Sequence, residues 1–280
     1  MVLKPLIKAM LPRSILQAAV DARGAVSILS TRKASFDARN LRPAAEMDLI
    51  AIFGDAAAAE AWRADQAAVV SAFGAGERHG GINPGDRRAI YHLTHSLKPR
   101  RVLEIGTHVG ASTIHIARAL RAAVPGARLT TVDIADVNHP RTGAWVGVGL
   151  DRAPCEMLAQ LGCADRVAFV VSPSLAFMAG TEERFDFIFL DGDHSARAVY
   201  LETAAAMRLL QLGGVILLHD FYPGGRPLYS GSGVIAGPAR ALGRARRECP
   251  AIAVLPLGAL PWPTKDGSNM TSLALMARTS

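Results

Sequence analysis

From residue 101 onward, the hydrophobic positions form short apolar runs that alternate with segments of helical periodicity. The runs are nearly continuous in Val, Ile, Leu and Phe, which is typical of strands buried on both faces of a parallel sheet. The pattern predicts these strands: Val102–Ile105, Leu129–Val132, Val167–Val171, Phe185–Leu190, Val215–Leu218, Ile252–Leu257 and Ser272–Met276.

The segments between the predicted strands carry apolar residues three or four positions apart, as amphipathic helices do. Strands that alternate with helices predict an α/β fold with a doubly wound sheet. The connection between the last two strands contains Pro261, Pro263 and Asp266-Gly267 and is too short for a crossover helix. We therefore expect that pair to be antiparallel, at the edge of the sheet. The pattern predicts these helices: Ser112–Ala122, Pro154–Leu161, Ala196–Leu210 and Ala236–Arg247.

Residues 1–80 lack this alternation and are interpreted as an N-terminal helical extension in front of a main domain at residues 81–280. Within the extension, the alanine-rich segment Ala56–Phe73 predicts a helix. At the start of the main domain, Asp86–Leu97 predicts another. An extension of this kind either caps its own domain or packs across a dimer. We expect a homodimer.

Composition limits the possible partners. Half of the residues are hydrophobic and 20% are charged, which predicts a sizeable folded core. The formal net charge of +7 favours acidic partners. The basic residues are mostly scattered, however, and the tightest cluster (Arg244, Arg246 and Arg247) also fits a solvated helix face. Nucleic acid is therefore the less favoured partner.

Cysteine usage and hydropathy favour a soluble protein of the cytoplasm. The chain has three cysteines and no C-x-x-C pair, which argues against a disulfide framework or a structural zinc site. The N-terminus lacks the features of a secretory signal. No apolar run approaches the roughly 20 residues that a membrane-spanning helix needs.

The stretch R-V-L-E-I-G-T-H-V-G at residues 101–110 is the clearest ligand-binding signal. A strand, a glycine turn and a helix start expose backbone N–H groups at the helix N-terminus. The dinucleotide fingerprint G-x-G-x-x-G is absent, and Glu104 would repel a pyrophosphate at close range. The stretch suits a ligand with a positive end, such as an amino group, and disfavours a nicotinamide-dependent dehydrogenase.

Acids and histidines follow the other predicted strands. Asp133 ends the second strand, where an acid accepts hydrogen bonds from both hydroxyls of a ribose. Asp191 ends the fourth strand and is followed shortly by His194, and the fifth strand ends in His219-Asp220. Open α/β sheets bind their ligands at the carboxyl ends of parallel strands, so we expect these groups to converge on one site.

Four motifs in this order resemble a known family: E-I-G-T-H-V-G, V-D-I, F-D-F-I-F-L-D-G-D-H-S and L-G-G-V-I-L-L-H-D. Together they are similar to class I S-adenosylmethionine-dependent methyltransferases, in particular to the catechol O-methyltransferase-like group and the O-methyltransferases of antibiotic and sugar tailoring. The resemblance covers roughly residues 82–280. It implies a Rossmann-like seven-stranded sheet with an antiparallel last strand and S-adenosylmethionine as cofactor.

The resemblance also assigns roles to individual residues. The glycine loop would hold the methionine end of the cofactor, Asp133 the ribose and Ser172 the adenine. The cofactor-binding residues implied in this way are Glu104, Gly106, Thr107, His108, Gly110, Asp133, Ile134, Ser172 and Asp191.

In metal-dependent relatives, carboxylates that end the fourth and fifth strands hold magnesium, which corresponds here to Asp191 and Asp220. The usual third ligand position is Phe221 in this chain, and His219 is the possible substitute. Two carboxylates and a histidine would also suit manganese or zinc. A metal-free version stays open, in which the same groups are polar walls of the pocket. The catalytic candidates are His219, His194 and Asp191, with either histidine as the base.

The leading hypothesis is O-methylation of a small-molecule hydroxyl on a natural-product, sugar or catechol-like acceptor. The glycine-rich segment Tyr222–Gly237 is interpreted as a lid over this acceptor, with Arg226 and Tyr229 as possible contacts. One alternative is an RNA, DNA or other N-methyltransferase, although L-D-G-D-H stands where many nucleic-acid enzymes carry D/N-P-P-Y/F. The other alternative is a non-catalytic, cofactor-binding scaffold subunit.

Overall fold

The computed structural model describes residues 24, 26–74, 81–229, 232–265 and 267–279. Within these residues the chain forms one mixed sheet with helices on both faces. Its strands are β1 Arg101–Ile105, β2 Arg128–Asp133, β3 Val167–Val171, β4 Phe185–Leu190, β5 Leu210–Leu218, β6 Ile252–Pro256 and β7 Ala274–Arg278.

The main helices agree with the predicted ones to within about two residues. The sequence pattern missed the short helices Leu49–Phe53, Ala144–Gly147 and Ser174–Gly180. None of the described helices is long and apolar enough to cross a membrane. The helices are α1 Leu49–Phe53, α2 Ala56–Phe73, α3 Pro84–Leu97, α4 Ala111–Ala123, α5 Ala144–Gly147, α6 Pro154–Gln160, α7 Ser174–Gly180, α8 Ala196–Leu209 and α9 Ala236–Glu248. Short 3₁₀ turns lie at Ala38–Asn40, Ala44–Glu46, Ala164–Arg166 and Pro223–Gly225.

The strand order is β3-β2-β1-β4-β5-β7-β6. Strands β1 to β5 are parallel to one another, whereas β7 pairs antiparallel with both β5 and β6. Met276 of β7, for example, lies opposite Ile216 on one side and Val254 on the other. The predicted seven-stranded Rossmann-like sheet with an antiparallel last strand is confirmed. The strand order reverses between β1 and β4, which is where open α/β sheets bind ligands.

Both faces of the sheet are buried, and alternate residues of one strand enter different cores. In β1, Val102 packs with one hydrophobic cluster, while Leu103 and Ile105 pack with the other. In β4, Phe187 and Ile188 divide in the same way. Alternation of this kind follows from the twofold period of a strand. It explains why the predicted strands are apolar at almost every position.

The described part of the N-terminal extension packs on this chain's own domain. Ile52, Val69 and Phe73 share a core with strand residues. Leu41 is buried in the opposite core and forms a parallel bridge with Gly214. Residues 1–23, 25 and 75–80 of the extension lie outside the described residues, and its predicted dimer contact stays a prediction.

Gly106, directly after β1, occupies a position that only glycine fits. Its φ of 95° lies in the left-handed region. A Cβ at this position would overlap the backbone carbonyl of Asp191, because β1 and β4 are neighbours whose chains leave the sheet side by side. The same contact fixes where Asp191 stands relative to the glycine loop.

We expect Gly106→Ala to destabilise the protein through strain and overlap together, by about 2–5 kcal/mol. The matched control is Gly126→Ala, because Gly126 has a φ of 77° but no atom within 4 Å of the added Cβ. The control should lose about 1 kcal/mol, from the φ strain alone. Urea denaturation measures both values. Equal losses would show that the approach to Asp191 does not constrain residue 106.

Candidate active site

A cavity of about 680 Å³ opens at the carboxyl ends of the strands, beside the point where the strand order reverses. Its walls come from the loops that follow β1, β2, β3, β4 and β5, and from one face of α8. The lining residues are Gly81, Ile105, Gly106, His108, Val132, Asp133, Ile134, Ser172, Pro173, Ser174, Leu175, Asp191, Gly192, Asp193, His194, Ala198, Glu202, His219 and Asp220.

Asp133 shapes the glycine loop as well as lining the cavity. Its Oδ2 accepts hydrogen bonds from the backbone N–H groups of Thr107 and His108, at 3.1 and 2.9 Å, and its Oδ1 accepts one from Ala135. Helix α4 begins after Gly110 without a side-chain cap. Backbone N–H groups at an uncapped helix start are available to a ligand.

Glu104 lies behind the glycine loop and lines neither this cavity nor the second one described below. It is fully buried, and its Oε2 accepts hydrogen bonds from the hydroxyls of Thr113 and Thr131, at 2.6 and 2.7 Å. Burial raises the pKa of Glu104 to about 7, against the stabilising hydrogen bonds to its carboxylate. Glu104 therefore ties β1 to β2 and to the start of α4.

The other cofactor-binding candidates divide into two sets. Gly106, His108, Asp133, Ile134, Ser172 and Asp191 line the cavity, whereas Glu104, Thr107 and Gly110 do not. Ile134 is 76% exposed and presents an apolar surface to the cavity.

Sequence reasoning missed Ser174, Leu175 and Glu202. Glu202 is almost fully buried, and its Oε1 accepts a hydrogen bond from the hydroxyl of Ser174. Its spacing of four from Ala198 places both on one face of a helix, but only the orientation of α8 shows that this face borders the cavity.

Asp191, His219 and Asp220 come together as predicted from their strand ends. The Nδ1 atom of His219 lies 3.0 Å from Oδ1 of Asp191 and 3.6 Å from Oδ1 of Asp220. His194 is more exposed, and its Nε2 lies 3.5 Å from Oδ2 of Asp220. Asp220 has a φ of 55°, a strained value of the kind found at functional sites.

A third acidic residue, Asp86, contacts this group from helix α3. Its Oδ2 lies 3.3 Å from Nε2 of His219, so both ring nitrogens face carboxylates. Asp86 is on the first turn of α3, where it exchanges hydrogen bonds with the N-cap residue Asn83. In the sequence it reads as an ordinary helix-start acid, because its contact with His219 spans 133 positions of the chain.

His219 and His194 lie in different surroundings, and these decide which of them is able to accept a proton. Burial alone would lower the pKa of His219, but Asp191, Asp86 and Asp220 together raise it well above its ordinary value. A histidine in that state is already protonated near neutral pH and does not act as a base. His194, partly exposed at the cavity wall, is the better placed of the two to accept a proton.

The acid–histidine group fits a divalent metal ion. Asp191, His219 and Asp220 each offer one ligand atom, and these atoms lie within 4.8 Å of one another. Two carboxylate oxygens and an imidazole nitrogen suit Mg²⁺, Mn²⁺ or Zn²⁺. Phe221 packs on the apolar core and offers no ligand. Within the described residues, His219 is therefore the third donor beside Asp191 and Asp220.

A second cavity of about 450 Å³ lies on the other side of His219 and Asp220. The described part of the predicted lid forms much of its wall, including Tyr229, whereas Arg226 does not line it. Residues 230 and 231 of the lid lie outside the described residues. The lining residues are Gly81, Asn83, Asp86, His219, Asp220, Tyr222, Leu228, Tyr229, Ser232, Gly233, Val234, Ile235, Lys265, Met270 and Ser272.

Comparison with known proteins agrees with this fold. Residues 103–221 match the family model described as a methyltransferase domain. The chain is 36% identical to a catechol O-methyltransferase of Mycobacterium tuberculosis over 136 residues, covering 48% of this chain and 53% of that protein. It is 31% identical to catechol O-methyltransferase B of Danio rerio over 183 residues, covering 60% and 62%. The chain therefore spans less than two thirds of these curated relatives.

Solved structures show the same architecture. Cofactor-bound Rv0187 from Mycobacterium tuberculosis superposes with a TM-score of 0.53 at 25% identity, over 79% of this chain and 90% of that one. The O-methyltransferase TomG from Streptomyces achromogenes, in complex with SAM, gives 0.51 at 21% identity, over 81% and 91%. The predicted resemblance to class I S-adenosylmethionine-dependent methyltransferases is confirmed.

We expect Glu104→Gln to change how stability depends on pH. The pKa of Glu104 is raised from 4.5 to about 7 in the folded protein, so between these values the folded state binds more protons than the unfolded state. The native protein should therefore lose up to about 3 kcal/mol relative to the variant as the pH rises through this window. Urea denaturation at about pH 4.5 and about pH 8 measures this difference. If the free energies of unfolding of the two proteins differed equally at both pH values, burial would not raise the pKa of Glu104.

Proposed function

We propose that this chain is an S-adenosylmethionine-dependent O-methyltransferase of small-molecule hydroxyl groups. The observation that supports it most strongly is the pair of cavities that meet at His219 and Asp220. A methyl transfer needs two ligands held on opposite sides of one reacting centre. The larger cavity accounts for the donor, and the second cavity for the acceptor.

The loops that follow β1, β2 and β3 line the donor cavity, and each suits one part of S-adenosylmethionine. Gly106 and His108 of the glycine loop receive the methionine end. Asp133 accepts a hydrogen bond from the ribose, because three backbone N–H groups leave about one of the roughly four acceptor positions of its carboxylate open. Ile134 and the segment 172–175 cover the adenine. The sulfonium methyl then faces Asp191 and the wall shared with the second cavity.

The reaction is an in-line displacement. The acceptor oxygen attacks the methyl carbon, the carbon–sulfur bond breaks, and the electron pair stays on sulfur as the neutral thioether. Holding both ligands in line can supply roughly 7–11 kcal/mol of the barrier. His194 takes the hydroxyl proton, typically worth about 10²–10⁴-fold. Asp220, 3.5 Å from its Nε2, stabilises the imidazolium that results.

A divalent ion completes the proposal. Asp191, His219 and Asp220 would hold Mg²⁺ or a similar ion, which when bound would lower the pKa of a coordinated acceptor hydroxyl. The same three side chains otherwise orient the acceptor through hydrogen bonds.

The size of the second cavity supports a small acceptor, since about 450 Å³ falls in the range of small-molecule sites. Its wall is mixed, with the rings of Tyr222 and Tyr229, apolar side chains such as Ile235, and the acids Asp86 and Asp220 beside His219 and Lys265. This composition favours a natural-product, sugar or catechol-like hydroxyl over a nucleic acid.

The proposal also includes a homodimer and a cytoplasmic location. The three free cysteines fit a reducing compartment.

Calorimetry with S-adenosylhomocysteine, followed by transfer of a labelled methyl group to a panel of catechols, phenols and sugars, tests the function. We expect binding and transfer to at least one class of hydroxyl. Binding without any transfer would favour a cofactor-binding scaffold, and transfer to nitrogen alone would contradict O-methylation. An unchanged rate in a chelator would remove the metal ion from the proposal.

Asp133→Ala should weaken S-adenosylhomocysteine binding about a hundredfold, because a hydrogen bond to a charged acceptor is lost together with the backbone bonds that hold the glycine loop. Asp136→Ala is the control, because Asp136 is an exposed acid on the same loop whose carboxylate, within the described residues, accepts a local hydrogen bond from the backbone N–H of Asn138. It should bind as the native protein does, in calorimetry under the same conditions. Near-native affinity of Asp133→Ala would mean that the ribose lies elsewhere.

His194→Gln should lower kcat about 10²–10⁴-fold, since a glutamine does not accept the proton. Because His194 lines the donor cavity, the substitution can also change the affinity for S-adenosylhomocysteine. Steady-state kinetics and calorimetry on the same preparation separate the two effects. A variant with the native kcat would assign the base to another group.

A further inference from the structure

We propose that Asp86 is a positioning residue that holds the His219 ring with Nδ1 turned toward Asp191 and Asp220. This inference rests on the metal centre of the proposed function. Asp86 lies outside the matched segment 103–221, on a helix that precedes β1. Its effect on the site would therefore be a property of the N-terminal part of this chain.

The two ring nitrogens of His219 face different carboxylates. Nδ1 faces Asp191 at 3.0 Å and Asp220 at 3.6 Å, which are the carboxylates of the candidate metal site. Nε2 faces only Asp86, at 3.3 Å, among the contacts in the described residues. A histidine that ligates metal through one nitrogen almost always donates its other N–H to a carboxylate, a carbonyl or water. That partner fixes the tautomer and the plane of the ring.

Asp86 is built for such a fixed contact. The residue is 1% exposed, so water does not compete for its carboxylate. Asn83 donates a 2.7 Å hydrogen bond to Oδ2 of Asp86 and accepts one from its backbone N–H, which locks the side chain at the helix start. The remaining oxygen, Oδ1, is buried without a partner in the described structure. A buried carboxylate with an unsatisfied oxygen costs stability, and a role at the site accounts for its presence.

The helix cap offers a way to separate positioning from folding. Replacing Asp86 disrupts both its contact with His219 and its exchange with Asn83. Asn83→Ala disrupts the exchange alone and leaves the carboxylate beside His219. Asp86→Asn keeps a carbonyl that can accept from Nε2 but removes the charge, whereas Asp86→Leu removes the acceptor altogether.

The test is calorimetric titration of the full chain with Mn²⁺, with S-adenosylhomocysteine titrated in parallel and the melting temperature recorded for each variant. We expect Asp86→Leu to weaken Mn²⁺ binding about 10–100-fold and Asp86→Asn to weaken it less. Asn83→Ala should lower the melting temperature yet bind Mn²⁺ within about twofold of the native protein, and all variants should keep S-adenosylhomocysteine affinity.

Native-like Mn²⁺ affinity in Asp86→Leu, or an equal loss in Asn83→Ala, would overturn the inference. Native protein that binds S-adenosylhomocysteine but no Mn²⁺ would also overturn it, while leaving the methyl-donor proposal intact. Loss of S-adenosylhomocysteine binding by the native protein would instead contradict the proposed function.

Discussion

The close approach of β1 and β4 at their carboxyl ends is the constraint on which the site depends. The N–H of Asp191 donates to the carbonyl of Ile105 at 2.9 Å, and Gly106 leaves no room for a side chain against the Asp191 carbonyl. One backbone contact therefore fixes the glycine loop and the acid that ends β4 relative to each other. Because β2 and β5 flank these strands, Asp133 and Asp220 are brought to the same edge.

Charge balance around His219 is the second organising feature. Asp86, Asp191 and Asp220 surround one imidazole in a largely buried place, where isolated carboxylates would be costly. A cationic His219 or a bound divalent ion offsets this negative charge. Either a proton on His219 or a bound metal ion therefore supplies the positive charge of the site. The neighbouring His194 lines the donor cavity, where a ligand can reach it.

Sequence reasoning predicted the sheet well, because strands buried on both faces are apolar at nearly every position and the short connection before β7 excludes a crossover. It also predicted the convergence of Asp133, Asp191 and His219, since strand ends meet at one edge. It did not predict that the side chain of Glu104 turns inward to Thr113 and Thr131. The sequence motif is compatible with a side chain that faces either the ligand or the core. Asp86 and Glu202 escaped notice because their contacts depend on how α3 and α8 pack, which no local spacing encodes.

The central claim is that one cavity holds the methyl donor and the other holds the acceptor, with the acid–histidine group between them. A crystal structure of the chain with S-adenosylhomocysteine tests it most directly. The account predicts the ribose on Asp133, the adenine beside Ile134 and Ser172, and the sulfur facing the wall that His219 and Asp220 share with the second cavity. A ligand bound in the second cavity, or one whose sulfur faces away from that wall, would contradict it.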